Sequence, residues 1–487
     1  MYQHNARQLE IEEFKTPFRT PLDKNNRWVK LAALIPWDYV EKQYQKKLGR
    51  AREGKRAYSS RLAFGALIIK ERLKLTDDET VAMITENHYL QWFIGFQEFQ
   101  IEAPFHESLM THFRRRFPAK VIKRINERII KAKTRQESHD KRDDNKNDPD
   151  SGDNEGQLIV DATVAPADIT FPTDLKLLNK SRELLEGMID TLHAERAPGA
   201  KKPRTYRKEA RREYLMIQKK KQPGWKRVRK AMRKQLGYVR RDLNHVDKLL
   251  NEVGFGILSN DQLRKLMVIR EAYRQQQEMY DERRHTIDSR IISISQPHVR
   301  SIKRNKAGAK WEFGAKVSVG IVNGLTTIHR ISWDNFNEGS DLQEQIMAYK
   351  RTHGFWPESI HADKIYRTRS NMRFCKEHGI RFSGQKLGRP FEDIAIQKAI
   401  KRQWREDERI RNAIEGKFGE GKRKYSMDRI MAKLKETEET VISLVFLVMN
   451  MERILRNEAS SCCSVVLNWL LSVPRWGNCE LSRCVIG

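Results

Sequence analysis

The sequence is poor in cysteine and has no long apolar run. Its 487 residues contain five cysteines, and none forms a Cys-x-x-Cys pair, so neither a zinc site nor a disulfide framework is predicted. The longest apolar stretches, at 441–449 and 465–473, fall well short of the roughly 18 to 20 residues of a membrane-spanning helix. The N-terminus has no apolar signal core. These absences argue against a membrane or secreted protein and favour a reducing cytoplasm.

Acidic residues are scarce relative to basic ones. Lys and Arg total 94 against 64 Asp and Glu, which gives a formal net charge of +30 at pH 7. A surface this basic attracts a polyanion, so DNA, RNA and an anionic membrane are the candidate partners. The short apolar runs make the membrane the weakest of the three. The length predicts two or three domains.

The pattern of apolar and polar residues changes several times along the chain. Helical periodicity dominates the N-terminal part, where Thr76 and Glu79 have the spacing of a capping box. A polar stretch rich in Asp, Asn and Gly follows it. We predict a helical DNA-binding or dimerisation domain at 1–136, a flexible linker at 137–157, an α/β catalytic domain at 158–174 and 297–456, a basic helical insertion at 175–296, and a divergent tail at 457–487.

The α/β segment alternates strands with helices. The predicted order is strand, long helical interruption, two strands, helix, strand, helix, strand and helix. Asn323-Gly324, between the second and third strands, is a strong signal for a hairpin turn. Without the interruption this is the element order of an RNase H-like fold, a mixed five-stranded sheet flanked by helices.

Three acids stand at positions where this fold could bring them together. Asp161 follows the apolar residues of the first strand, Asp363 follows those of the fourth, and Glu415 lies on a later helix. Sites in open α/β sheets gather beyond the C-terminal ends of strands. Three unpaired carboxylates in one place repel each other, and a divalent cation removes that repulsion. Taken singly, an Asp at a strand end more often caps a turn, so the prediction depends on the three acids together.

Carboxylate oxygens suit Mg²⁺ or Mn²⁺. Two such ions, about 3.5–4 Å apart, activate an attacking hydroxyl and stabilise the leaving oxygen in phosphodiester chemistry. The residues therefore predict metal-dependent chemistry on a nucleic acid.

Glu415 shares a helix face with two cations. Arg411 precedes it by four residues and Lys422 follows it by seven, and a rotation of about 100° per residue places all three on one side. Such a face can bind a metal ion and the phosphates beside it. The alternative is a surface ion pair between Arg411 and Glu415, worth a few tenths of a kcal/mol.

The predicted insertion contains a very basic piece. Lys201 to His245 holds 18 Lys and Arg against three acids, with four aromatic residues among them: Tyr206, Tyr214, Trp225 and Tyr238. A charge run is most often a solvated helix face, but the aromatics and the shortage of acids favour phosphate binding. We expect the insertion to contact DNA, or alternatively to act as a dimerisation arm.

Several blocks of the sequence resemble bacterial insertion-sequence transposases of the DDE superfamily, in the group named after insertion sequence five. "DATVAPADITFPTDLKLLNKSRE" is similar to the first-Asp block, "SIHADKIYRTRSNMRFCKEHG" to the second, and "RNAIEGKFGEGKRKY" to the R-x3-E-x6-K signature of the third acid. "YLQWFIGFQEF" and "HESLMTHFRRRF" resemble the helical N-terminal domain of these enzymes. The resemblance covers roughly residues 60–455.

The resemblance implies that Asp161, Asp363 and Glu415 are the catalytic and metal-binding triad, with two Mg²⁺ or Mn²⁺ ions per active site. In the second-Asp block many relatives have Arg-Gly where this chain has Lys364-Ile365, but the Asp itself is kept.

The resemblance also implies contacts with transposon-end DNA through Arg411 and Lys422. Arg304 and Lys306 are further predicted DNA contacts. Glu408 stands where the fuller signature often has Tyr; this departure concerns the DNA contact at that position and touches no metal ligand.

The function implied by the resemblance is DNA transposition. Such an enzyme binds the terminal inverted repeats of its element, cleaves the DNA at the ends by two-metal-ion hydrolysis, and joins the 3′-OH ends to target DNA by transesterification. Because two ends must be held together, we expect a homodimer or larger assembly on DNA, in the nucleoid of the cytoplasm. Two alternatives stay open: an RNase H-like metal-dependent nuclease without strand transfer, and an inactive transposase-derived DNA-binding protein.

Overall fold

The structure is a computed structural model that describes residues 14–15, 21–48, 56–142, 154–306, 309–384 and 394–472. The chain forms two compact units. The first unit comprises Met1–Asp148, Asn323–Thr326 and Leu444–Gly487, and the second comprises Pro149–Val322 and Thr327–Ser443. In the described part of the chain, no helix is both long enough and apolar enough to span a membrane.

The first unit is helical, as the periodicity of its sequence predicts. Its helices before the sheet are α1 (Arg27–Leu34), α2 (Trp37–Leu48), α3 (Ser60–Leu73), α4 (Asp77–Glu86), α5 (His88–Phe93), α6 (Leu109–Arg116) and α7 (Ala119–Arg142). The sequence of α3 is apolar on most sides, and such a helix is stable when other elements surround it. Phe64 of α3 accordingly packs against Phe117, with ring centroids 5.0 Å apart, and both side chains are fully buried.

The predicted capping box at the start of α4 is confirmed. Thr76 Oγ1 accepts a hydrogen bond from the Glu79 N–H at 3.3 Å, and Glu79 Oε2 accepts one from the Thr76 N–H at 2.8 Å. These two bonds satisfy backbone donors that a helix leaves unpaired at its N-terminus.

A mixed sheet of six described strands lies in the second unit, except for the first two residues of β4, which group with the first unit. The strands are β1 (Gln157–Pro166), β2 (Arg300–Lys306), β3 (Ala309–Val322), β4 (Leu325–Ser332), β5 (Ser359–Ala362) and β6 (Arg381–Phe382). Their spatial order is β2-β3-β1-β5-β6, and β4 also pairs with β3. Strand β1 is antiparallel to β3 and parallel to β5, which is parallel to β6. The predicted mixed character of the sheet is thus confirmed.

The sheet has one strand more than the five predicted. In β2, RSIKRNK, the single strongly apolar residue is Ile302, which is buried, so the sequence shows no alternating pattern. The strand pairs with β3 from Arg300↔Gly314 to Lys303↔Trp311. Basic residues on an edge strand discourage pairing with a second chain, so the charge of β2 is compatible with its position at the edge of the sheet.

The prediction that strand β1 ends at Asp161 is wrong: the strand continues to Pro166. Its second half is held by the antiparallel partner β3, with Ala162↔Ser318 and Pro166↔Gly314 in register. Parallel pairing with β5 stops at Val160↔Ala362. Asp161 therefore lies inside β1, at the point where its neighbour β5 ends.

Four described α-helices lie between β1 and β2, in the region predicted as an insertion at 175–296. They are α8 (Asp174–Ala194), α9 (Arg207–Gln218), α10 (Trp225–Val253) and α11 (Asn260–Asp281). Apolar residues of α8, α10 and α11, such as Leu185, Val239 and Ile269, form one hydrophobic cluster. This block therefore has a hydrophobic core of its own.

Three further helices complete the second unit around the sheet: α12 (Leu342–His353), α13 (Arg369–Glu377) and α14 (Ile394–Lys424). Two short 3-10 helices, Glu338–Asp341 and Lys364–Tyr366, precede α12 and α13. Leu342 and Ile346 of α12 pack with Val160 of β1 in a buried cluster. Helix α14 packs against β1 and β5, which brings the helix that carries Glu415 to the strands that lead to Asp161 and Asp363.

The last described helix, α15 (Lys435–Ser472), belongs to the first unit from Leu444 onward. Its residues 444–449 are all buried, so the apolar run at 441–449 is largely core helix. The predicted catalytic domain at 158–174 and 297–456 therefore includes residues that group with the first unit. The helix also extends into the predicted tail at 457–487, of which residues 473–487 lie outside the described part.

A buried hydrogen-bond network fixes α15 within the first unit. Asn450 Oδ1 accepts from the N–H and the hydroxyl of Thr326, both at 2.8 Å. Asn450 Nδ2 donates to the Thr326 carbonyl at 2.7 Å and to Asn126 Oδ1 at 2.8 Å. Asn126 Nδ2 also donates to the Thr326 carbonyl, at 2.9 Å. All three residues are buried, and they provide hydrogen-bond donors and acceptors for one another.

The predicted linker at 137–157 begins inside a helix, because α7 continues to Arg142. Residues 143–153 lie outside the described part, and Gln157 is already the first residue of β1.

Candidate active site

Asp161 of β1 and Asp363, the residue that directly follows β5, occupy neighbouring positions where the parallel pairing of these strands ends. Val160 pairs with Ala362, and each Asp is the next residue of its chain segment. A local backbone N–H engages one oxygen of each carboxylate: that of Ala162 donates to Asp161 Oδ1 at 2.8 Å, and that of Lys364 donates to Asp363 Oδ1 at 2.7 Å. The sheet register therefore brings together two of the three predicted acids.

The electrostatic surroundings of Asp161 favour a cation. The pKa of Asp161 is raised to about 6, mainly by burial and also by the negative charges of Glu338 and Asp363, although the Ala162 N–H and the Arg411 charge act to lower it. Carboxylates that repel one another in a partly buried place are stabilised by a divalent ion with oxygen ligands. Asp161 and Asp363 therefore fit such an ion.

Glu415 lies on α14 with its side chain 57% exposed and its Oε1 3.6 Å from Arg411 Nη1. The ion pair between these two residues is thus present. In the part of the chain that the structure describes, no group of three or more His, Cys, Asp or Glu side chains is placed to hold a metal ion. The addition of Glu415 to the two aspartates stays a prediction.

A buried polar cluster links α14 to the strand that leads to Asp363. His361 Nδ1 lies 3.7 Å from Asp407 Oδ1, and His361 Nε2 lies 3.1 Å from Ser359 Oγ. Arg381 Nη1 donates to both carboxylate oxygens of Asp407 at 2.9 Å. Because Asp407 lies one helical turn before Arg411, this cluster sets where Arg411 stands relative to β5. Its members are far apart in sequence, so no local pattern could have identified them.

A cleft of about 310 Å³ opens beside Asp363. Arg367 and Arg411 line it together with Asp363, Trp404 and Asp407. Arg367 Nη1 donates to the Ser383 carbonyl at 3.2 Å, which holds its guanidinium at the wall. Two guanidinium groups beside an acid pair can bind phosphate oxygens next to a cation site. Arg367 and Trp404 were not singled out from the sequence.

Lys422 is half-buried near the end of α14, seven residues after Glu415 as the predicted common face requires. Arg304 and Lys306 belong to β2, but their side chains lie outside the described residues. The structure therefore adds nothing to the predicted DNA contacts of Arg304 and Lys306.

Sequence analysis did not single out Lys316 and Glu338, an ion pair whose acid acts on Asp161 by raising its pKa. Lys316 Nζ lies 2.9 Å from Glu338 Oε1 and donates to Asn335 Oδ1 at 3.1 Å and to the Phe336 carbonyl at 2.8 Å. A lysine inside the apolar run AKVSVGIV of β3 was the available signal, because a buried cation requires a partner.

Comparisons with known proteins identify two transposase domains in the chain. Residues 360–452, a segment that includes Asp363 and Glu415, match the family described as transposase DDE domain. A match to this family implies an RNase H-like fold. Residues 17–116 match the family described as transposase domain (DUF772). The uncharacterized protein ORF8 in the nfe locus of Rhizobium meliloti is 32% identical over 158 residues, which are 32% of this chain and 70% of that protein. No solved structure shows significant similarity.

Proposed function

Since the chain belongs to the DDE transposases, we propose that it moves an insertion sequence of the group named after insertion sequence five. It binds the terminal inverted repeats of that element, cleaves the DNA at the element ends, and joins the freed 3′-OH ends to target DNA. The observation that carries the proposal is the register that sets Asp161 beside Asp363, in front of a cleft lined by two arginines.

Asp161 and Asp363 would hold the Mg²⁺ or Mn²⁺ ions, and Glu415 completes the set. Two bound ions supply activation of the attacking oxygen and neutralisation of the leaving oxygen in an in-line displacement. The Ala162 and Lys364 N–H groups keep one oxygen of each aspartate in place. Arg367 and Arg411 bind the phosphates beside the acids, so the chain contributes by positioning and by charge neutralisation.

The two successive displacements need no covalent protein–DNA intermediate. Both element ends must be held in one assembly, so we propose a homodimer or larger complex on DNA. The helices of the first unit and the basic insertion supply the binding surface. The proposed contacts with the element ends are Arg411 and Lys422. Arg304 and Lys306, whose side chains lie outside the described part, are proposed as further contacts.

An end-joining assay tests the proposal. Purified protein is incubated with Mg²⁺, labelled DNA that carries the terminal repeats flanking the gene, and a target plasmid. We expect cleavage at the repeat ends and labelled joint molecules. Cleavage without joint molecules would favour the nuclease alternative, and specific binding without cleavage would favour the inactive DNA-binding protein.

Exposed cations and an exposed aromatic ring in the insertion support its proposed role in DNA binding. Lys219, Lys220 and Lys221 are exposed in the turn between α9 and α10, and Trp225 at the start of α10 is 70% exposed. Elsewhere in the insertion, Arg204 and Arg241 lie over the ring of Tyr206 at 4.6 and 4.5 Å. The predicted basic piece therefore presents some of its cations to solvent and uses others for packing.

Replacing Lys219, Lys220 and Lys221 with Gln should weaken binding to end DNA. Each phosphate contact contributes about 0.9 to the slope of log K against log salt, so we expect the slope to fall by up to about 3. Fluorescence anisotropy between 50 and 200 mM salt measures it, with the triple Arg variant as the charge-preserving control. An unchanged slope would favour the dimerisation arm over a DNA contact.

A further inference from the structure

We propose that one face of α7 is a phosphate-binding surface, and that it holds the backbone of duplex DNA whatever the base sequence. Five exposed cations form this surface, which we call the α7 stripe: Lys120, Arg124, Arg128, Lys131 and Arg135. The proposal rests on the proposed function, since DNA is the ligand. It names the part of the first unit that contacts the DNA and the chemistry of that contact.

The spacing of the five cations places them along one side of the helix. They follow one another at intervals of four, four, three and four residues, and at about 100° per residue all five lie within an arc of about 80°. With a rise of about 1.5 Å per residue, the stripe is about 22 Å long, which is the length of about six base-pair steps of duplex DNA. The α7 stripe therefore runs along the helix axis and can follow a DNA backbone.

The opposite face of α7 is anchored in the first unit. Ile122, Ile125 and Ile129 are buried there, and Asn126 of the same face donates a hydrogen bond to the Thr326 carbonyl at 2.9 Å. A helix that is fixed in this way presents its cations at constant positions. Little further ordering of the backbone is then needed when a polyanion binds.

The charges of the α7 stripe are not compensated within the described part of the protein. None of its five cations has an ion pair at contact distance among the described residues. The described side chains on this face include one acid, Glu127, so five cations against one acid leave a net charge of +4. A surface of this sign attracts a polyanion, and binding to it releases counterions from DNA.

A groove of about 620 Å³ between α2 and α7 extends the basic surface. Lys42 and Lys46, one turn apart on α2, line the groove together with Arg128, against one acid, Asp38. The Arg128 guanidinium lies over the ring of Tyr39, 4.1 Å from the ring centroid, and this contact holds one cation of the stripe beside the two lysines. A phosphate in the groove would therefore have cations of both helices around it.

The composition of the surface favours DNA over a protein partner. The exposed large apolar side chains of the described residues include none from α2 or α7, whereas a protein interface is anchored by aromatic or aliphatic side chains and is poor in Lys. Phosphate contacts require only long cations, and they carry no sequence information. We therefore expect the stripe to bind any duplex.

Salt-dependent binding by the full chain tests the proposal, with fluorescence anisotropy on end DNA and on an unrelated duplex of equal length. Arg124→Gln with Lys131→Gln removes two contacts, so we expect the slope of log K against log salt to fall in magnitude by about 2, equally on both duplexes. Arg27→Gln with Lys30→Gln removes the same charge from exposed positions of α1. This matched control should keep the slope, as should the charge-preserving Arg124→Lys with Lys131→Arg.

Chemical modification of the wild type provides a test that needs no variant. Lysines in contact with phosphates should be protected from acetylation when duplex DNA is bound. We expect Lys42, Lys46 and Lys131 to react several-fold more slowly with DNA than without it, and Lys30 to react at an unchanged rate. Peptide mass spectrometry measures these rates, and equal rates for Lys131 in the two conditions would overturn the proposal.

The outcomes separate the α7 stripe from the proposed function. An unchanged slope for Arg124→Gln with Lys131→Gln, or a loss on end DNA alone, overturns the stripe, while cleavage and joining by the wild type would still support the transposase. An equal fall in the α1 control would show an effect of net charge and would also overturn it. An unchanged slope with an altered oligomeric state in sedimentation would make this face a contact between copies of the chain. The expected loss of slope without any cleavage by the wild type supports the stripe and counts against the transposase.

Discussion

Replacing Asp161 or Asp363 with Asn should reduce Mg²⁺-dependent cleavage of end DNA by on the order of 10³-fold or more, the loss expected when one preorganised electrostatic group is removed from an active site. Asn has the shape of Asp without its charge, so it cannot compensate a cation. Cleavage of a labelled end fragment under single-turnover conditions measures the effect. The two variants should lose cleavage to a similar degree, because their register makes them neighbours in one site.

The matched control is Asp334→Asn. The Asp334 side chain is 78% exposed, and its Oδ1 lies 3.6 Å from Arg300 Nε, a long and exposed ion pair that contributes little. The control variant should cleave as the wild type does. Asp161→Asn should keep its melting temperature at neutral pH, because burial and the charges of Glu338 and Asp363 disfavour the ionised form of the carboxylate that is replaced. Equal cleavage by wild type and Asp161→Asn would rule out the catalytic role.

Replacing Asn450 with Ala should destabilise the first unit by about 3–5 kcal/mol. The change leaves the Thr326 N–H and hydroxyl and Asn126 Oδ1 without the partners they have in the buried network, and each orphaned buried polar group costs about 1–3 kcal/mol. Chemical denaturation followed by circular dichroism measures the loss. Asn251→Ala, on an exposed position of α10, is the control and should stay within about 0.5 kcal/mol of the wild type.

A loss below 1 kcal/mol for Asn450→Ala would show that water or a rearranged helix replaces the network. Loss of folding altogether would be compatible with the expected size, since whole domains are stable by only about 5–15 kcal/mol. Asn450→Gln, which keeps the amide but cannot reach both partners without strain, should fall between the wild type and the Ala variant.

Features that depend on neighbouring residues were predictable from the sequence. The Thr76–Glu79 capping box requires only two side chains three residues apart, and both bonds are present. The hairpin turn at Asn323-Gly324 requires two residues that tolerate a positive φ, and their φ angles are 50° and 79°. Asp363 directly after β5 could be read in the same way, because an apolar strand that stops at an acid is a local pattern.

Other features depend on partners that are distant in sequence. Asp161 was expected at the end of β1, but β3 continues to pair with the residues that follow it. Asp407 is tied to His361 and Arg381, and Glu338 to Lys316; each of these pairs joins separate elements. An acidic residue on the surface and one in a functional site can be the same residue type, so only their neighbours in space distinguish them.

The sequence by itself determined the mixed α/β character of the second unit, and it predicted a polyanion as partner and two acids linked to strands, because net charge, hydrophobic period and turn chemistry can be read without the fold. Only the tertiary structure decided that Asp161 lies inside a strand and beside the residue that follows β5, and that α15 from Leu444 onward belongs to the first unit. These outcomes follow from sheet register and from the pairing of buried polar groups. Both are settled by contacts between residues that the chain brings together only when it folds.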